Sequence, residues 1–192
     1  MQRQDITYRI VVKDPELKQA YIDSYNTNYK FGDRGFDLIV PKDYKINVFS
    51  GSNKIDHEIQ VAGYYVYERG EIFTEEATLT TVSIEHEVGY DLRVRSGTGA
   101  NTRLRLANAT GTIDLYRGNI IALIDHIPFT NDYVKEDKRL DLATGKEYIF
   151  IPKGTRLVQL VNPNGYGVLV EFVDELPPTE RGDRGFASSG GL

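Results

Sequence analysis

Cysteine and tryptophan are absent from this chain of 192 residues, methionine occurs once and histidine three times. Without cysteine there is no disulfide, no thiolate nucleophile and no sulfur-ligated zinc. His57, His86 and His126 are scattered, whereas metal cages need clustered ligands. His86-Glu87 opens like a zincin motif, but Tyr90 stands where the second histidine belongs, so all three read as ordinary strand or loop histidines. No long uncharged apolar run is available to span a membrane, and Met1-Gln2-Arg3-Gln4-Asp5 lacks the apolar centre of a signal peptide. The expectation is a soluble intracellular protein, cytoplasmic with the nucleus left open. The formal net charge of −5 speaks against broad electrostatic binding to nucleic acid or an anionic membrane. An anionic ligand would therefore need a local basic cluster or a metal ion.

What is abundant is alternation. Apolar and polar residues trade places in Phe36–Val40, Ile46–Val48, Ile59–Val61, Leu92–Val94 and Leu104–Leu106, the period of half-buried strands. Further strands are expected at Tyr8–Val12, Tyr64–Tyr67, Ile120–Ile124, Tyr148–Ile151, Leu157–Val161 and Val168–Val173, separated by turns such as Pro163-Asn164-Gly165. Many short strands in a chain of this length predict one all-β domain, a sandwich or jelly roll. One helix interrupts them: Asp14 can cap it, Pro15 suits its first position, and Leu17, Tyr21 and Tyr25 share a face up to about Asn26. The mixed-charge stretch from Asn131 to Lys146 reads as a solvated loop.

Five segments carry chemistry suited to one phosphate site. Gly35-Phe36-Asp37-Leu38 sets a carboxylate at the start of a strand. Arg95-Ser96-Gly97 offers a guanidinium, a hydroxyl and an unhindered backbone in succession. Asn108 to Gly118 has hairpin chemistry, with Gly111-Thr112-Ile113 able to present main-chain groups to a base edge and Asp114 and Tyr116 just beyond. Lys153 to Leu160 places a turn ahead of an apolar strand carrying Gln159, and Arg156 there reads as a structural partner for a carboxylate. The last segment, Arg181 to Leu192, sets Phe186, two arginines and Ser188-Ser189 among four glycines after Pro177-Pro178. It reads either as a loose Gly/Ser tail or as a polyphosphate clamp.

In this order and over most of the chain, the five segments resemble the five motifs of the trimeric dUTP pyrophosphatases (dUTPases). The nineteen positions from Arg95 to Asp114 match the family's spacing, and Val173-Asp174-Glu175-Leu176 leads into Thr179-Glu180-Arg181-Gly182 as in its members. The resemblance implies a dUTPase-like jelly roll or distorted β-barrel over residues 1–180, with residues 181–192 as a flexible arm. It implies a homotrimer with active sites at the subunit interfaces, each closed by an arm from another subunit. Asp114 would activate a water against the α-phosphorus of dUTP, giving dUMP and pyrophosphate. Gly111, Thr112 and Ile113, helped by Asn108, would read uracil, and Tyr116 would pack on the deoxyribose. Asp37 would hold Mg²⁺ through water. Ser96 and Gly97 would meet the α/β bridge, beside Arg95; Gln159 the next phosphoryl oxygens; Arg181, Ser188 and Ser189 the γ-phosphate. Phe186 would stack on the base.

The chain departs from the family in several places. Leu115 alone separates Asp114 from Tyr116 where the family has two residues, and in a strand such a slip reverses a side chain's face. Ala187 stands where glycine is usual in the arm, and Arg34 replaces a small residue in the first motif. An insert at roughly 56–80 is expected as an extra hairpin, either surface elaboration or a contact for a protein partner. The related dCTP deaminases use a glutamate five residues past the third motif's closing glycine, and Leu123 holds that place here. The alternatives that remain are the same chemistry on another pyrimidine deoxynucleotide and a nucleotide-dependent regulatory protein on the same fold.

Overall fold

The computed structural model describes residues 5–30, 32–48, 51–73, 79–127 and 136–185. In chain order they form β1 (Ile6–Val12), α1 (Pro15–Asn28), β2 (Gly35–Ile39), β3 (Tyr44–Asn47), β4 (Asn53–Asp56), β5 (Ile59–Phe73), β6 (Leu79–Val88) and β7 (Tyr90–Val94). There follow α2 (Ser96–Asn101), β8 (Leu104–Leu106), β9 (Gly111–Ile113), β10 (Ile121–His126), β11 (Lys138–Asp141), β12 (Lys146–Ile151), β13 (Arg156–Val161) and β14 (Val168–Phe172). The all-β expectation holds, with a second short helix added at α2.

Helix α1 begins as its sequence dictates. The Asp14 carboxylate accepts the Leu17 backbone N–H at 2.7 Å, and Pro15 occupies the first turn, where no intrahelical donor is lost. Its buried face carries Leu17 and Tyr21. The Tyr21 hydroxyl accepts the Ile39 N–H at 2.9 Å and donates to the Ile39 carbonyl at 3.3 Å, and its ring stacks on Phe36 at 5.7 Å. The helix is thereby fastened along β2, and it runs on to Asn28 instead of ending near Asn26.

Four sheets carry the rest, ordered β14-β1-β5-β6, β4-β10-β8, β11-β12-β3 and β2-β13-β7-β9. β1 lies between a parallel partner, β14, and an antiparallel one, β5. Inward positions of the alternating segments meet in one core, where Tyr8, Leu38, Ile55, Leu104, Ile124 and Leu160 are fully or almost fully buried. Each such side chain contributes about 1.5–3 kcal/mol over its exposed state. The segments expected at Ile59–Val61 and Tyr64–Tyr67 are parts of one strand, β5, which pairs with β6 in a long hairpin. That hairpin covers much of the stretch of roughly 56–80 where an extra hairpin is expected, and its return strand reaches Val88.

The charged stretch expected as a loop is corrected in part. Among its described residues, Lys138–Asp141 pairs antiparallel with Lys146–Ile151, and Arg139 lies 3.7 Å over the Phe150 ring. Charge marked the exposure correctly, because Lys138, Arg139 and Leu140 all face solvent. A solvated strand whose ladder runs on one side has the same polar sequence as a loop.

Candidate active site

The sheet β2-β13-β7-β9 carries four of the five motifs, and it sets them at two places. At one edge, Asp37 on β2 lies opposite Gln159 on β13. The Arg95 Nε donates to Asp37 Oδ1 at 2.6 Å, and Arg156 Nη1 lies 3.4 Å from Asp37 Oδ2. Arg95 Nη1 also donates to the Arg156 carbonyl at 3.3 Å. Arg156 thus holds a carboxylate, as its place ahead of a buried strand suggested. Gln159 extends across bare Gly35, where an added Cβ would fall 2.2 Å from Gln159 Oε1. These residues, with Arg34, with Ser24, Tyr25 and Asn28 of α1, and with Tyr29 just past its end, line a polar cleft of about 440 Å³. Arg95 caps α2, so Ser96 and Gly97 form its exposed first turn beside this cleft.

At the other edge stands the turn-β9-turn segment expected as a hairpin, whose described ladder runs to β7. Leu106 accepts the Ala109 N–H at 3.0 Å, and Ala109 takes the left-handed conformation, φ +58°, that turns the chain into Gly111. Asn108, Gly111, Thr112, Ile113 and Tyr116 line a second cleft of about 210 Å³ with Leu92, Leu106, Leu123, Arg181 and Gly185. Its apolar floor and amide-bearing rim suit a planar heterocycle. Leu123 contributes a hydrocarbon wall at the position where a deaminase would need its acid.

The one-residue shortening after Asp114 does not turn Tyr116 away. β9 ends at Ile113, and Leu115 adopts φ +50°, leaving its own side chain exposed. A left-handed residue outside the strand replaces the alternation that would have reversed Tyr116, and the ring lines the cleft half-buried. Burial pushes its phenol above the ordinary tyrosine value, with Asp183 and Asp56 adding to the effect. Gly118 makes room for it, since a Cβ there would sit 2.2 Å from the Tyr116 hydroxyl.

Asp114 is exposed and does not itself line the cleft. Its carboxylate rests against Gly89, where a Cβ would come within 1.9 Å of Oδ1. Gly89 lies next to Tyr90, which pairs with Ile113. The arm's first residues pack on the same chain's hairpin. Arg181 Nη1 donates to the Asp114 carbonyl at 2.8 Å and its guanidinium lies 5.8 Å from the Tyr116 ring centre; the Thr179 hydroxyl donates to the Leu115 carbonyl at 2.7 Å. Phe186, Ser188 and Ser189 lie outside the described residues, as does Ala187.

The structure therefore gathers Asp37, Arg95 and Gln159 in one cleft and Asn108, Gly111, Thr112, Ile113, Tyr116 and Arg181 in another, with no described residue lining both. Three site neighbours escaped sequence reading: Gly89, Arg117 and Arg34 in its cleft-lining place. Gly89 lies in the sequence between strands expected at Tyr64–Tyr67 and Leu92–Val94 with no signal of its own, and Arg117 stands only as the middle of Tyr116-Arg117-Gly118.

No protein-family model matches the chain. Sequence relatives do. A deoxyuridine 5′-triphosphate nucleotidohydrolase of Bdellovibrio bacteriovorus is 34% identical over 143 residues, covering 73% of this chain and 83% of the relative. The protein of that name from Caldanaerobacter subterraneus is 30% identical over 142 residues, with the same coverage of each. That from Trichodesmium erythraeum is 29% identical over 163 residues, 83% of this chain and 85% of its own length.

Proposed function

The chain belongs to the deoxyuridine 5′-triphosphate nucleotidohydrolase family, and from that premise we propose that it hydrolyses dUTP to dUMP and pyrophosphate. The observation that carries the reading is the β9 hairpin: its Gly111–Ile113 backbone, Asn108 and Tyr116 converge on one small cleft with an apolar floor. Main-chain groups of the hairpin would pair with the uracil edge. The Tyr116 ring would lie on the deoxyribose and leave no space for a 2′-hydroxyl. Asp114, exposed at the hairpin's end, would orient a water and take its proton as that water attacks the α-phosphorus in line. Arg95, Ser96, Gly97 and Gln159 would hold the phosphates, and Arg181, Ser188, Ser189 and Phe186 would close over them.

Two half-sites on one chain favour a homotrimer, in which the hairpin cleft of one subunit meets the phosphate cleft of a neighbour. β2 and β9 are separated by β13 and β7, which sets them roughly 14 Å apart at the usual strand spacing. The partition makes a sharp test. Asp114→Asn and Arg95→Ala should each be inactive alone. Mixed, reassorted subunits should regain roughly a quarter of wild-type sites, because each site needs one intact half from each neighbour. No recovery on mixing would place both halves in one subunit.

A triphosphate carries about four negative charges, and Mg²⁺ is the ion we propose to accompany it. Among the described residues no group of three or more histidines and carboxylates converges to make a cage. Asp37, with both oxygens already engaged by guanidinia, offers only an outer contact. That donor set fits an ion carried on the phosphates and touched by the protein through water. Bound there, the ion would neutralise phosphoryl oxygens and align the chain of phosphates.

Product analysis over dUTP, dCTP, dTTP and UTP tests the whole reading. Pyrophosphate from dUTP, lost in Asp114→Asn with binding retained, is expected. Release from none of the four would refute the enzyme, and UTP turning over as fast as dUTP would refute the role of Tyr116.

A further inference from the structure

The long β5–β6 hairpin has no part in the reaction proposed above, yet its return strand reaches the arm's root through a single side chain. Arg117 directly follows the tyrosine of the nucleotide cleft, and its side chain is only 10% exposed. Nη1 lies 2.7 Å from Glu87 Oε1 and Nη2 donates to Glu87 Oε2 at 2.8 Å, a fork meeting a fork. Nε donates at 2.6 Å to the carbonyl of Pro177, and Nη1 also reaches the Tyr116 carbonyl at 3.3 Å. The backbone N–H of Arg117 donates to the Gly182 carbonyl at 2.8 Å. Arg117 therefore touches β6, the β9 hairpin and both ends of the segment Pro177–Gly182.

We propose that Arg117, held in place by Glu87, is a latch: a positioning residue that fastens the root of the C-terminal arm to the hairpin bearing Asp114 and Tyr116. The β5–β6 hairpin gains its role by supplying the carboxylate. The geometry requires a guanidinium. One planar group must direct donors at a carboxylate on one side and at a carbonyl on the other, which a lysine ammonium on the same stem cannot do. The latch also sets where the arm pivots. With Pro177 and Gly182 tied down, Thr179 and Arg181 bonded to Leu115 and Asp114 between them, and Arg184 Nε bonded back to the Arg181 carbonyl at 3.1 Å, the fastened segment runs from Pro177 to Arg184. An arm hinged beside the cleft returns to it far more often than one hinged several residues earlier.

Trypsin reads the latch directly, because Arg181 and Arg184 both lie in the fastened segment and each precedes a glycine. Limited digestion of the full chain, followed by mass spectrometry, is to be compared for wild type, Glu87→Gln, Arg117→Lys and Arg117→Ala. Glu87→Gln keeps shape and polarity and guards against a variant that fails to fold. All three variants should be cut after Arg181 and Arg184 roughly tenfold faster or more, the worth of one charge-assisted hydrogen bond. Cleavage after Lys153, in an exposed turn away from the latch, should be unchanged. Lysine should not rescue. Unchanged cutting at the two arginines in every variant, or equal acceleration at Lys153, would overturn the latch. The kinetic counterpart rests on dUTP hydrolysis being the activity: KM should rise with the variants while Asp114 chemistry persists. Because proteolysis needs no substrate, the latch and the proposed reaction fail separately.

Discussion

Replacing Gly89 by alanine is the sharpest test of how the hairpin presents its carboxylate. Gly89 joins β6 to β7, and an ideal Cβ there would stand 1.9 Å from Asp114 Oδ1, 3.1 Å from its Cγ and 3.2 Å from the Ile113 carbonyl oxygen. The two longer distances need a few tenths of an ångström. The first needs the carboxylate oxygen to retreat by more than 1 Å, through rotation of a side chain that is otherwise exposed. Folding should therefore be little affected. The new methyl group restricts the unfolded chain by about 0.4–1 kcal/mol, which offsets the local crowding. With Asp114 as the proposed base, catalysis should not be spared, because a shift of about 1 Å in a reacting group costs on the order of a hundredfold. The assay is kcat for pyrophosphate release from dUTP beside a thermal melt. The expected result is kcat lowered about a hundredfold, KM within about threefold and Tm within a few degrees. A Gly89→Ala enzyme with wild-type kcat would refute the claim that the carboxylate needs the space over Gly89. A kcat loss matched by general unfolding would refute the claim that the glycine acts on position alone.

Gly118→Ala should act through Tyr116, the ring proposed to pack on the sugar, since its Cβ would meet the Tyr116 hydroxyl at 2.2 Å and displace the ring; KM for dUTP should rise more than kcat falls, and equal discrimination with unchanged KM would count against it. His57 supplies a pH dependence of stability. Its ring is fully buried, Nδ1 bonds the Ile39 carbonyl at 2.9 Å, and Nε2 finds no partner among the described residues. Burial pushes its pKa down to about 4 from an ordinary 6.5, against a smaller opposing effect of the Ile39 carbonyl. A folded state that resists protonation binds fewer protons than the unfolded chain, so the contribution is complete above about pH 6.5 and is lost as pH falls toward 4. At pH 5 the loss is about 2 kcal/mol at about 1.4 kcal/mol per unit. Urea midpoints at pH 7.5 and 5, at one fixed protein concentration, should diverge more for wild type than for His57→Asn; identical divergence would exclude His57 as the source.

Legibility in the sequence followed the range of the interaction. The cap at Asp14, the start at Pro15 and the alternation of Phe36–Val40 or Leu104–Leu106 depend on residues a few positions apart, and each folds as read. Arg156 was legible too, because a cation ahead of a buried strand needs a counter-charge and Asp37 supplies it. What escaped was set by backbone torsion or by distant pairing. Tyr116 faces the cleft because Leu115 turns left-handed, and no residue-type rule assigns a positive φ to leucine. Gly89 meets Asp114 only after β7 pairs with β9, and Arg117 meets Glu87 only after the β5–β6 hairpin returns. The exposed ladder of β11 on β12 looked like a loop because its face never enters the core.

The charge balance of the polar cleft bears on how an acidic chain would hold the proposed polyanion. Three guanidinia, Arg34, Arg95 and Arg156, line it against two carboxylates, Asp33 and Asp37. Both Asp37 oxygens are spent on Arg95 and Arg156, so those two cations are fixed in direction before a ligand arrives, at the expense of much of their net charge. Arg34 is exposed and adds charge that the family's small residue at this place would not. As the proposed phosphate site, a cleft so neutralised would orient phosphates better than it would attract them. Against about four negative charges it leaves most uncompensated, which is the deficit that a divalent ion riding on the phosphates would offset. The same balance gives Asp37 its place: a carboxylate shared by two arginines orders both, and in the proposed site it would face the ion through water.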